Sequence, residues 1–126
     1  SILYVCSLEA TGSLDNQIVV LPMSTSYDAS TLGTITYIDF NSYGYSIKGF
    51  AFFDSGNKLV IISWDGILIL FNLSTPYDIS THSAIIDTYD LGSGVASIND
   101  ISKGDNDDYL YVSFENGDVK QYSMTF

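Results

Sequence analysis

The sequence predicts an all-β chain organised as β-propeller blades, and three observations carry that expectation. A nine-residue segment recurs fifty residues downstream, two Gly-containing hairpin signals recur 51 residues apart, and short apolar runs fill the intervals. Four short antiparallel strands per repeat of about fifty residues is the arithmetic of a propeller blade, and about two and a half such blades fit this chain.

The recurring segment is Met23-Ser24-Thr25-Ser26-Tyr27-Asp28-Ala29-Ser30-Thr31, matched by Leu73-Ser74-Thr75-Pro76-Tyr77-Asp78-Ile79-Ser80-Thr81, with six of nine positions identical. The second copy follows two apolar runs, 58–63 and 67–72, separated by Trp64-Asp65-Gly66. A later pair, 109–114 and 118–122, is separated by Glu115-Asn116-Gly117. Asp-Gly and Asn-Gly between strand-like runs are strong hairpin signals, because these residues tolerate positive φ.

Each strand of the repeat then finds its place. A complete unit has strand A at 47–53, closed by Asp54-Ser55-Gly56-Asn57. Strand B follows at 58–63, C at 67–72, a linker at 73–83 and D at 84–89. The chain opens with B, C and D of an earlier unit, at about 2–8, 17–23 and 34–40, with a long B–C connection from Glu9 to Asn16. It closes with A, B and C of a later unit, A at 95–101 and the A–B turn at Gly104-Asp105-Asn106-Asp107-Asp108. The expected organisation is one propeller segment over 1–126: a partial blade at 1–40, a complete blade at 41–90 and a partial blade at 91–126. Middle strands of stacked blades bury both faces. The unbroken runs Leu59-Val60-Ile61-Ile62 and Ile67-Leu68-Ile69-Leu70-Phe71 fit that, whereas a sheet with one wet face should alternate. An incomplete ring would expose an apolar blade face, so the terminal blades are expected to contact other protein chains or further sequence of the same propeller.

Composition narrows the partners. Hydrophobic residues make up 46% of the chain, enough for a packed core. The net charge is −11, with four lysines and no arginine. Neither a nucleic-acid phosphate backbone nor an anionic membrane surface suits that balance. No apolar run reaches the length of a membrane span. Cys6 is the only cysteine and lies among apolar neighbours, so it is expected to be a small buried hydrophobe.

The sequence holds no enzyme signature: no phosphate-binding loop, dinucleotide fingerprint, nucleophile elbow or zincin motif. His82 is the single histidine, and its counterpart in the earlier repeat is Leu32, so the repeat does not demand it. No cofactor is expected. Asp105, Asp107 and Asp108 form the one dense carboxylate cluster. Calcium takes six to eight oxygens, and close-spaced Asp and Asn can supply several, but a polar A–B turn needs the same residues. Trp64, whose repeat counterpart is Glu115, is a candidate platform for a sugar ring, or a packing residue. Tyr27 with Asp28, and Tyr77 with Asp78, form a repeated pair. It is expected to stabilise the linker, with the aspartates capping backbone groups; a repeated ligand pocket is the alternative.

The linker Leu73-Ser74-Thr75-Pro76-Tyr77-Asp78-Ile79-Ser80-Thr81, placed after an apolar C strand, resembles a repeat of β-propeller proteins from tailed phages and marine bacteria. In those proteins, units of this length carry a leucine-Ser-Thr-x-aromatic-Asp-x-Ser-Thr stretch between strands C and D. The resemblance covers nearly the whole chain. It implies a non-enzymatic structural or interaction module: a tail, fibre or capsid-surface part of a virion, or an exported surface protein. A glycan-binding propeller for adhesion or host recognition is the alternative.

Overall fold

A computed structural model describes residues 1–6, 16–44, 46–92 and 97–125. Ten β-strands form three antiparallel sheets, and no α-helix occurs among the described residues. The chain divides into two compact units, Ser1–Ser46 and Ile47–Phe126.

The first unit holds β1 (Ile2–Cys6), β2 (Gln17–Pro22) and β3 (Thr36–Asp39), in that order across the sheet. Strand pairing puts Cys6, Ile18 and Ile38 in one row and Val5, Val19 and Tyr37 in the next. Successive side chains on a strand point to opposite faces, so these rows lie on different faces of the sheet. Ile18 is fully buried, while Leu3 and Val5, on the other face, are 48% and 43% exposed. Cys6 is half-buried rather than fully buried, because it sits at the end of β1 on the row of Ile18.

The second unit holds two sheets. One is β4 (Ile47–Phe53), β5 (Lys58–Ser63), β6 (Ile67–Asn72) and β7 (Asp87–Asp90). The other is β8 (Ile98–Lys103), β9 (Tyr109–Phe114) and β10 (Val119–Ser123). Ala51, Phe53, Val60, Ile62 and Leu68 of the first sheet form one buried cluster with Ile98, Ile101, Leu110, Val112 and Phe114 of the second. The sheets therefore stack face to face. Their first strands touch at Gly49. A Cβ there would stand 2.5 Å from Asp100 Oδ1 and 3.1 Å from the Ile101 backbone nitrogen, so a side chain at this position would have to displace the Asp100 carboxylate and press on the β8 backbone.

The two sheets repeat in detail. The pairing shifts by one residue between Ile47 and Gly49 in β4, and between Ile98 and Asp100 in β8, at positions 51 residues apart. Matching bulges bend both first strands at the same point. Asn16, Gly66 and Gly117, at equivalent places before the third strand of each repeat, all take positive φ, at 61°, 83° and 88°. The Gly66 and Gly117 amides donate to Ser63 and Phe114 carbonyls, at 3.1 and 3.0 Å. Positive φ falls on the glycine alone, so each hairpin is a turn followed by a left-handed glycine, not a two-residue turn with two left-handed residues.

Two expectations need correction. The fourth strand begins at Asp87, not at residue 84. The linker holds the chain until then, with Ser83 Oγ donating to its neighbour's carbonyl at Ala84. Burial of both faces holds for β5 and β6, where Leu59, Ile61, Ile69 and Phe71 are buried opposite the shared cluster. It does not hold for β9. Leu110, Val112 and Phe114 are buried, whereas Tyr109 and Tyr111 are exposed. The rows beside them contribute Asp100, Ser102, Ser113 and Gln121 with one aliphatic side chain, Val119, so this outer face is mostly polar and aromatic, not the apolar face expected of a terminal blade. The expected strand positions 7–8 and 95–96 and most of the connection from Glu9 lie outside the described residues.

Candidate functional site

The repeated linker is built twice with the same geometry. Asp28 Oδ1 accepts from the Ser30 backbone N–H at 3.0 Å and from Ser30 Oγ at 2.6 Å. Asp78 does the same with Ser80, at 3.0 and 2.6 Å. Each aspartate thereby caps a single 3₁₀ turn, Ala29–Thr31 or Ile79–Thr81. The bonds from the Ser30 hydroxyl and backbone hold the Asp28 carboxyl below its usual range. Thr31 and Thr81 hydroxyls close the loop from the far side, donating to the Asp28 and Asp78 carbonyls at 2.7 Å in each case. With one carboxylate oxygen of each held twice by the loop's own serine, the two aspartates serve the turn.

Tyr27 and Tyr77 share a left-handed backbone, with φ of 62° and 61°, but their rings differ in setting. Tyr77 covers the A–B turn. Its amide donates to the Gly56 carbonyl at 2.9 Å, and its ring lies so close that a Cβ on Gly56 would meet it at 2.5 Å. Phe52 meets the Tyr77 ring edge-on at 5.4 Å. Tyr27 is fully exposed, and no such turn lies beneath it among the described residues of its unit. Sequence reasoning missed Gly56 as the partner of Tyr77. The φ of 86° at Gly56 accounts for a glycine in the A–B turn without any ring above it, so neither residue pointed to the other.

Trp64 stands at the opposite end of β5 from the Tyr77 contact, and six strand residues at about 3.3 Å each put about 20 Å between them. Trp64 is 45% exposed, and Lys48 Nζ lies 4.1 Å from its ring centroid, so one face of the indole already carries a cation. Trp64 and the Tyr77–Asp78 pair therefore do not converge on one pocket. The His82 ring packs edge-on against Phe71 at 5.4 Å, and its Nδ1 lies 2.9 Å from the Ser83 carbonyl oxygen.

The acidic cluster forms the A–B turn of the third repeat. Asp107 has a φ of 58°, the conformation that Gly56 takes 51 residues earlier. Its carboxylate is held on both oxygens: Oδ1 pairs with the Lys103 ammonium, and Oδ2 accepts the Asp54 backbone N–H at 2.8 Å. The Lys103 hydrogen bond, helped by its charge and by the Asp54 and Ser55 amides, holds the Asp107 carboxyl below its usual range. Asp108 Oδ2 accepts from Asn106 Nδ2 at 2.7 Å, and Asp105 sits beside it in the turn. No three His, Cys, Asp or Glu side chains are grouped to hold a metal ion among the described residues. The cluster's clearest role is a stitch, Asp107 to Asp54, between the turns of two successive sheets.

One more feature gathers residues from both sheets of the second unit. A groove of about 390 Å³ runs between β7 and β10, lined by Leu68, Leu70, Tyr89, Tyr122 and Met124 among others. Burial, and the neighbouring Tyr89, push the Tyr122 hydroxyl above its ordinary pKa. No helix is long and apolar enough to cross a membrane among the described residues. No protein-family model matches this chain, and no curated protein matches it.

Proposed function

We propose that this chain is a run of β-propeller blades acting as a non-enzymatic structural and interaction module within a larger assembly, on a virion or an exported surface protein. The observation that carries this is the stacking of sheet β4–β7 on sheet β8–β10 through a shared apolar cluster, with the bulged first strands in contact at Gly49. Short antiparallel modules of three and four strands, repeated at about fifty residues and packed face to face in the second unit, suit a propeller, which is completed by about four to eight blades. The exposed Leu3–Val5 face supports contact with further protein, since such faces mark interaction surfaces. The side chains with chemical potential are spent on structure: Asp28 and Asp78 on caps, Asp107 on a stitch, Trp64 on Lys48. The virion or surface setting rests on the resemblance of the linker motif.

Native mass measurement and imaging of the particle that contains this polypeptide test the proposal. Ring-shaped density built of four-stranded modules is expected. A free 13.8 kDa monomer in its native source, with Leu3 and Val5 open to solvent, would remove it.

A further inference from the structure

The third strand of each repeat has two edges, and in two of the three repeats both are paired. Beside β2, the Gly33 and Phe40 amides donate to the Pro22 and Asn16 carbonyls at 2.8 and 2.9 Å. Beside β6, Ser83, Ile86 and Leu91 amides donate to Asn72, Leu70 and Gly66 carbonyls at 2.8, 2.9 and 3.0 Å. The donors in both cases lie in the Ser-Thr-rich linker or flank the strand after it. The equivalent acceptors on β10 are Ser123, Gln121 and Gly117. That edge has no strand partner among the described residues, since the sheet order ends at β10. Bonds from Met124 to Asp108 and from Phe114 to Asp118 fix the alternation, leaving the N–H and C=O groups of Val119, Gln121 and Ser123 pointing away from β9. The groove floored by Leu68, Leu70 and Tyr89 lies alongside this edge, with Tyr122 and Met124 as its other wall. An unpaired row of backbone groups next to a groove of mixed apolar and polar lining is a template for another strand.

We infer that the free edge of β10 and the groove beside it receive an extended segment of the linker-and-strand type that this chain already presents at 24–39 and 74–90. The segment is supplied from outside residues 1–126 and adds as a fourth antiparallel strand. Its linker carries the Ser-Thr-x-Tyr-Asp-x-Ser-Thr chemistry. Its strand donates amides to Gln121 and Gly117 and turns side chains into the groove. The inference deepens the proposal of an interaction module and rests on it, because it names the chemistry of one partner.

The test is a titration of the isotopically labelled full chain with a synthetic peptide of residues 73–91. The same peptide, N-methylated at the Ile86 amide, serves as control. Leaving the protein unaltered keeps folding out of the question. The expected result is saturable one-to-one binding that slows amide exchange at Val119, Gln121 and Ser123 by about tenfold or more, with the methylated peptide failing to bind. No binding, equal binding of both peptides, or protection confined to other strands would overturn the inference. So would protection of the three amides that grows with protein concentration alone, since β10 would then pair with a second copy. A native assembly that covers Leu3 and Val5 but leaves the three β10 amides in fast exchange would keep the interaction module and remove this partner.

Discussion

Strands β5 and β9 hold the same place in successive repeats, 51 residues apart, and bury themselves differently. In β5, Leu59 through Ser63 are all buried, so neighbours in sequence point into two separate packed layers. In β9 burial alternates: Leu110, Val112 and Phe114 face the shared cluster, while Tyr109 and Tyr111 stand on an open face. The repeat thus specifies backbone and register, and side-chain chemistry decides how many neighbours a sheet can take. Val60 and Ile62 pack on β8–β10, and their counterparts Tyr111 and Ser113 leave the next face compatible with water.

The sharpest way to break this contrast is substitution of adjacent residues. Ile61→Ala and Ile62→Ala should each destabilise the chain by about 2–5 kcal/mol, although they point to opposite faces. Leu110→Ala should cost a similar amount, whereas its neighbour Tyr111→Ala should cost less than about 1 kcal/mol. Urea unfolding of the four variants checks this; equal losses at Leu110 and Tyr111 would erase the difference between the strands. Next in size, Gly49→Val forces a branched side chain against Asp100 and the β8 backbone, and a loss of about 1–3 kcal/mol is expected by the same measurement. Asp78→Ala removes a turn cap and should lower stability by about 1 kcal/mol, with Asp78→Asn milder because its side-chain oxygen can still accept from Ser80.

The smallest effect is electrostatic. Asp107 has a folded pKa depressed below its unfolded value near 3.9. Its contribution is therefore fully present above that pH and fades as pH falls through the lower folded value. Asp107→Asn keeps a residue suited to positive φ and removes the charge. The variant should lose a few tenths of a kcal/mol at neutral pH, a screened exposed pair being worth no more, and the difference from the parent should vanish in strong acid. Unfolding curves across pH 2–7 read this out, on an order-of-magnitude scale set by linkage.

Much of the fold was legible because its signals are local. Asp65-Gly66 and Asn116-Gly117 mark hairpins because a left-handed residue is needed just before the third strand, and the Ser-Thr-Asp linker caps itself within nine residues. What the sequence hid depends on distant partners. Tyr77 lies over Gly56, 21 positions away, and nothing in either residue names the other. The late start of β7 follows from linker geometry that propensity does not see, since Ile85 and Ile86 favour a strand. The one-sided burial of β9 was written in Tyr109-Leu110-Tyr111-Val112-Ser113-Phe114, but tyrosine is at home on wet and dry faces alike and masked the alternation. Among candidate site residues, Trp64, Tyr77 and the acidic turn were each picked out by composition. Only the three-dimensional arrangement assigns them separate structural partners: Lys48, Gly56 and Asp54.

Stacking of successive repeats through their first strands is tested most directly by a double-mutant cycle between Gly49→Ala and Asp100→Ala, read by unfolding free energy. Contact between β4 and β8 predicts that the cost of the added methyl falls by about 1 kcal/mol once the Asp100 carboxylate is gone. Strict additivity of the two substitutions would contradict it.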